Sequence, residues 1–256
     1  MTLWVYKMIV LKTSRELAKM REAGKIAGRA LQLAGKACEA GISTAEINAI
    51  AERFIRSCGA KPSFKGLYGF PATACISVNE QVIHGIPSKN CILKPGDIVS
   101  IDLGAFYEGY HGDTAATFTV GQVDPNVQRL IDVTTDSLLK GISQALTGNR
   151  VGDISHAVQT CVEENGFSVV RDFVGHGVGT ELHESPEVPN FGSAARGVRL
   201  MAGMTIAIEP MVNMGDFRVK VLDDDWTVVT VDKSMSAHFE HTIAITNDGP
   251  VVLTEP

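Results

Sequence analysis

The 256-residue chain carries 23 Lys and Arg against 29 Asp and Glu, a formal net charge of −6, with 45% hydrophobic and 20% charged residues. That composition excludes disorder and low-complexity character, and with no Lys/Arg run no nucleic-acid partner is expected. No apolar stretch approaches the ~20 residues that a bilayer-spanning helix needs, and no secretory signal is legible, so a cytoplasmic protein with no membrane partner is expected.

Residues 1–13 read as an N-terminal extension and 14–256 as a single domain. From Ser14, a candidate N-cap, the apolar residues Leu17, Met20, Ala27, Leu31, Ala34 and Cys38 recur at helical steps, predicting an amphipathic helix that stops at Gly41. A second helix begins at Ser43 or Thr44, where Ser43 and Glu46 form a capping box, and ends at Gly59. Strand-like segments occupy 75–104. The order then repeats, with helices at about 126–146 and 153–165 and strands from 167 onward. Cys38, Cys58, Cys75, Cys91 and Cys161 contain no C-x-x-C pair and are expected to be thiols.

Residues 93–102 (LKPGDIVSID) match 200–209 (LMAGMTIAIE) at an offset of 107, and each copy ends in an acid, Asp102 or Glu209. A weaker echo sets Asp113-Thr114 against Glu240-His241-Thr242. Two related halves, about 14–121 and 122–256, are therefore expected to face each other across a pseudo-two-fold axis in one α+β domain.

Asp102 ends an apolar strand and Asp113 follows the turn residues Tyr107-Glu108-Gly109, which predicts a hairpin. A turn centred between Tyr107 and Glu108 would set the two aspartates directly opposite each other, an arrangement that needs a positive charge between them. The plainer alternative is an aspartate solvated at a sheet end. Glu209 and Glu240 lie in apolar strands and need partners, either an internal Arg or Lys or a shared ion. His176 sits in a Gly-His-Gly segment, while His84 and His183 are flanked by turn residues; each alone also reads as structural. Together, two Asp, two Glu and one His bring four formal negative charges, the number that two divalent cations neutralise. Such a donor set suits Mn, Fe(II), Co or Zn and would support hydrolysis by an activated hydroxide shared between the ions.

The segments Ser77-Val-Asn-Glu80, His84-Gly-Ile-Pro87, Ile101-Asp102, Tyr110-His-Gly-Asp113-Thr114, Gly175-His176-Gly-Val-Gly179, Leu182-His183-Glu184, Ile208-Glu209-Pro210 and Ser236-Ala-His-Phe-Glu240-His-Thr242 occur in this order. In them the sequence resembles the type I methionine aminopeptidases of the M24 peptidase family, short bacterial form, from about Met8 onward. The resemblance implies the pita-bread fold, with antiparallel sheets covered by helices, and removal of N-terminal methionine when the second residue is small. It implies two divalent ions (Co, Mn, Fe(II), Zn or Ni), with Asp102 on one, Asp113 and Glu240 bridging, and His176 with Glu209 on the other. His183 would contact the scissile-bond region, His84 the substrate backbone, and Glu209 would also shuttle a proton. A monovalent cation, Na or K, is implied near Asn79 and Ser236.

The methionine pocket corresponds to Phe64, Leu67, Phe70, Cys75, Leu182 and Trp226. Phe64 stands where the best-known members have a cysteine, Leu67 and Phe70 where they have tyrosines, and Leu182 where they have a phenylalanine. Nascent polypeptides would be the substrates, the ribosome exit region a partner, and the chain a monomer. The 26 residues from His183 to Glu209 and 31 from Glu209 to Glu240 leave no space for the insertion of the type II enzymes. The alternatives are a prolidase-like Xaa-Pro aminopeptidase, whose large preceding domain is missing here, and a non-catalytic binding module of the same fold.

Overall fold

The computed structural model describes residues 8–256; the first seven residues of the expected extension lie outside them. Helix α1 (Ser14–Lys36) is capped by Thr13 and not by Ser14. A capping box needs its hydroxyl three residues ahead of the acid. Thr13, not Ser14, stands at that distance from Glu16, whose carboxylate accepts the Thr13 N–H at 2.8 Å. The helix ends before Gly41 because the chain turns aside there, so that the Gly41 and Thr44 N–H groups donate to the carbonyls of Leu93 and Cys91. Helix α2 (Thr44–Ser57) opens on the expected Ser43–Glu46 box.

Strands β1 (Lys61–Pro62), β2 (Ala74–Val78) and β3 (Gln81–Ile83) lead into a long hairpin, β4 (Ile98–Tyr107) and β5 (Tyr110–Thr119). Helices α3 (Pro125–Ser143) and α4 (Val151–Glu164) follow, then β6 (Ser168–Val169), β7 (Gly175–Gly177), β8 (Glu184–Val188) and β9 (Thr205–Ile208). The last strands are β10 (Met211–Asn213), β11 (Val219–Val221), β12 (Val228–Thr230), β13 (Ser236–His238), β14 (Glu240–Thr246) and β15 (Gly249–Val252).

The hairpin differs from the expected register by one turn residue. Its two-residue loop is Glu108-Gly109, both at positive φ (48° and 90°), the geometry that matches strand twist in tight hairpins. Asp102 consequently faces Ala115, and Asp113 faces Gly104. The shift moves each partner by two positions, which preserves the face of the sheet. The aspartates remain on one side, diagonal and not opposed.

The main sheet runs β1-β4-β5-β14-β9-β7-β8, with β2 also on β4 and β15 also on β14, and its pairs are antiparallel. The strand order repeats outward from its middle. β5 and β14 meet there through Thr114 opposite His241, β4 and β9 flank them, and the echoed acids fall at matching places. Thr114 Oγ1 donates to the Glu240 carbonyl (2.9 Å), and Thr242 Oγ1 donates to the Asp113 carbonyl (2.8 Å), tying the halves together beside the acids.

Alternation along β4 sends Val99, Ile101, Leu103 and Ala105 into one core with α1 and α2, leaving Asp102 on the opposite face. The second half repeats this with Leu138, Ile142 and Ile154 of α3 and α4 against Ile206, Ile208, Ile243 and Ile245. Each fully buried aliphatic contributes about 1.5–3 kcal/mol, so the helices hold both sheet halves rigid from behind. The uncovered face carries the acids.

Candidate metal centre and its cavity

Each acid of the cluster reaches the site from a different strand. Asp102 lies in β4, Asp113 in β5 and Glu240 at the start of β14, while Glu209 directly follows β9 and His176 is the centre of β7. Donor atoms of Asp113, His176 and Glu240 lie within 4.8 Å of one another. His176 Nε2 is 3.5 Å from Glu209 Oε1 and 3.8 Å from Asp113 Oδ2. The internal salt bridge that either glutamate could have made is not found: among the described residues no Lys or Arg pairs with any of the four acids. Asp102 Oδ1, Asp113 Oδ1 and Glu240 Oε1 are instead buried without a hydrogen-bond partner.

Burial, and then mutual repulsion, push Asp102, Glu209 and Glu240 well above the usual carboxylate range. Burial pushes Asp113 up to about 7, against a lowering backbone bond from Thr114. Burial likewise lowers His176 to about 3. Its neutral ring donates from Nδ1 to the Gly177 carbonyl at 2.9 Å, which leaves the Nε2 lone pair facing the acids. Orphaned carboxylate oxygens around a fixed imidazole lone pair fit a divalent cation, and no anion or soft thiophilic ion.

Every residue expected in the site lines one cavity of about 520 Å³. Asp102, Asp113, His176, Glu209 and Glu240 line it together with His84 and His183, and Phe64, Leu67, Phe70, Cys75, Leu182 and Trp226 form its apolar wall. Phe70 and Trp226 meet edge to face at 5.1 Å in a buried cluster that also holds Phe64, Cys75 and Leu182. Cys75 is the partner of Asp102 across β2 and β4, and burial pushes its thiol far up, so it is a soft neutral wall and no nucleophile. His183 packs at 4.4 Å against the His176 ring. His84 adopts a left-handed backbone (φ 59°), a conformation held by its surroundings, and burial lowers its ring to about 4. Asn79 and Ser236 lie apart from this cavity; Ser236 N donates to the Asn79 carbonyl, and the Asn79 amide is engaged by Ile98 N and Asp97.

Three further residues border the site without having been expected. Tyr68 stacks on His183 with centroids 5.9 Å apart, and Phe173 meets His84 edge to face at 5.7 Å. His238 is fully buried, both ring nitrogens lack partners, and its Nε2 is 3.8 Å from Glu209 Oε2. Glu209 thus lies between two imidazoles, one on each oxygen. The sequence carried one signal for His238, its place two residues before Glu240, although the structure sets the two on different strands, β13 and β14.

The model of "Metallopeptidase family M24" matches residues 18–247. The chain belongs to that family. A methionine aminopeptidase of Clostridium perfringens is 58% identical over 247 residues, covering 96% of this chain and 99% of that protein. Methionine aminopeptidase 1 of Bacillus subtilis is 54% identical over the same shares. Among solved structures, the methionine aminopeptidase of Thermotoga maritima superposes with a TM-score of 0.96 at 48% identity, covering 97% of this chain and 100% of that one. The prolidase of Pyrococcus furiosus shares the fold at a TM-score of 0.79 and 25% identity, but this chain covers only 66% of its length. The pita-bread fold is common to these M24 relatives, and the prolidase alternative is not favoured. No described helix is long and apolar enough to cross a membrane.

Proposed function

We propose that this M24 peptidase removes the N-terminal methionine from peptides and nascent proteins whose second residue is small. The observation that carries this reading is the shared cavity: an uncompensated acid cluster and, lining the same space, an apolar wall of Phe64, Leu67, Phe70, Cys75, Leu182 and Trp226. Aromatic rings and a thiol suit a thioether side chain. With the ions in place, the free α-amine that a chain terminus offers would coordinate one of them, which confines action to chain ends.

Asp102, Asp113, His176, Glu209 and Glu240 would hold two divalent ions, Co, Mn, Fe(II), Zn or Ni, and Asp113 and Glu240, which meet at the join of the halves, would serve both. When bound, the ions supply Lewis acidity and lower the pKa of water. Glu209, ionised when it holds an ion, is assigned to take the proton of the attacking water and pass it to the leaving amine nitrogen. His183 donates to the carbonyl oxygen as it gains charge, and His84 to the backbone of the second residue. Both are neutral near pH 7, because burial lowers their pKa values. A monovalent ion, Na or K, at Asn79 and Ser236 is assigned a structural role.

Action as a monomer on nascent chains near the ribosome exit region, in the cytoplasm, is the setting that the resemblance implies. The test is incubation of purified protein with Met-Ala-Ser and Gly-Pro peptides, with and without a chelator. Methionine release that the chelator stops is expected. Cleavage of the Gly-Pro peptide alone, or release indifferent to chelation, overturns the reading.

A further inference from the structure

Residues 179–184 form a turn between β7 and β8 that presents Leu182 and His183 to the cavity. Gly179 N donates to the Glu181 carbonyl at 3.0 Å, Glu184 Oε1 accepts from Glu181 N at 3.3 Å and from Thr180 Oγ1 at 3.5 Å, and the Gly179 carbonyl accepts from His111 N at 2.9 Å, so the turn is held at its first residue and at the Glu184 carboxylate. A Cβ on Gly179 would lie 2.2 Å from Glu184 Oε1, so the carboxylate folds into the space that any larger residue would take.

Glu184, which also borders the cavity, meets the ammonium of Lys12 through Oε2 at 2.5 Å, with only 12% and 3% of the two side chains exposed. Lys12 stands 172 residues earlier, ahead of α1. Its own backbone N–H is pinned to the Gly203 carbonyl at 2.7 Å, and its ammonium also donates to the Val10 carbonyl. Removing two charges from water offsets most of the attraction between them, so a buried pair is a poor source of net stability. What such a pair does supply is a single permitted geometry, and this one adjoins His183.

We propose that Lys12 and Glu184 are positioning residues: the buried pair clamps the turn 179–184 to the segment ahead of α1 and so fixes the His183 ring over the cavity. The proposal rests on the reading of His183 as a group that contacts the scissile bond. Neutralising Lys12 strands a carboxylate at the turn, which must then shift towards water. A displacement of ~1 Å in a reacting group costs about 100-fold in rate. The loss falls on kcat more than on KM, because Leu182 alone of the six wall residues shares the turn, while Phe64, Leu67, Phe70, Cys75 and Trp226 come from other elements. None of the five residues assigned to the metals lies in the turn, so metal uptake is untouched.

The experiment uses the full chain loaded with Mn²⁺, steady-state kinetics on Met-Ala-Ser, and Mn²⁺ stoichiometry by calorimetry. Lys12→Met is expected to lower kcat about 100-fold at near-native KM and stoichiometry. Lys12→Met/Glu184→Gln, which leaves no stranded charge, recovers part of that loss. In a His183→Ala background, Lys12→Met costs little further, because both act through one ring. Should Lys12→Met not fold, Glu184→Gln, which keeps shape and acceptor, is carried through the same cycle. A native kcat in the folded variant, or losses that multiply in full with His183→Ala, overturns the clamp and leaves the site reading standing. His183→Ala at the native rate overturns the site reading itself.

Discussion

Metal uptake by this protein releases protons, and its affinity for the ion rises with pH. The perturbation is a titration of the metal-free protein with Mn²⁺ at pH 6, 7 and 8. Asp113 is pushed up to about 7, and Asp102, Glu209 and Glu240 lie well above the usual carboxylate range, so the metal-free cluster holds protons near neutrality. His176, lowered to about 3, brings none. The ion binds only ionised carboxylates, so those protons must leave. With about two protons displaced, affinity rises about 100-fold per pH unit, or about 2.7 kcal/mol.

The same sign governs stability. A carboxyl whose folded pKa exceeds its unfolded value stabilises the folded state below the unfolded pKa and loses that stability as pH rises through the folded pKa. The lowered histidines oppose this below about pH 7, but apart from His176 they are common to both forms and cancel between them. The gap in Tm between loaded and metal-free protein therefore widens from pH 6 to pH 8. Calorimetry in two buffers of different ionisation enthalpy counts the protons directly. An affinity flat between pH 6 and 8, with no proton release, would refute the account of the acid cluster.

Asp113→Ala and Glu240→Ala should each abolish methionine release and lower the bound metal, read by elemental analysis, because each removes a carboxylate that the proposed assignment gives to both ions. His84→Ala and His183→Ala should keep the metal and lose about 10²-fold or more in kcat; native kinetics in either variant would contradict its role. Ile206→Ala, at a fully buried site of the α3 and α4 core, should cost about 2–5 kcal/mol in denaturant unfolding without changing KM in the fraction that stays folded. A cost below about 1 kcal/mol would mean that the core can collapse around the gap.

Legibility in the sequence followed the range of the interaction. Local chemistry was readable: the Ser43–Glu46 box, the apolar alternation of β4, and the acids closing each copy of the repeat all depend on neighbours a few residues apart. The α1 cap was misplaced by one residue because Thr13 and Ser14 are chemically alike, and only the spacing to Glu16 separates them. The hairpin register was misread because Glu108 tolerates a positive φ that side chains seldom adopt, which moves the turn one residue along. The error left the aspartates on one face, since a one-residue shift of the turn centre moves the partners by two.

Contacts across long separations left no such mark. Neither Lys12 nor Glu184 shows by its flanks that it pairs with the other, and Tyr68 reaches His183 from a loop with left-handed positions at Gly66, Tyr68 and Gly69. These are properties of the closed fold. They became visible only once the sheet order had set the segment ahead of α1 against the β7 to β8 turn.

The placement of the acids at the join of the two halves has an energetic consequence. A single half supplies either Asp102 and Asp113 or Glu209 and Glu240, a pair that could remain partly hydrated at a sheet edge. Pairing β5 with β14 through Thr114 and His241 removes that edge, buries Asp113 and Glu240 and leaves Asp102 and Glu209 half-buried beside them, with no compensating cation among the described residues. The cost is met in the metal-free protein by protons and in the loaded protein by the ions, which bind the assembled halves and not the separated ones. Ion binding therefore stabilises the join as much as it equips the site. On this account the Thr114 and Thr242 bonds across the join, which pass directly beside Asp113 and Glu240, are the contacts through which metal loading is felt in the fold.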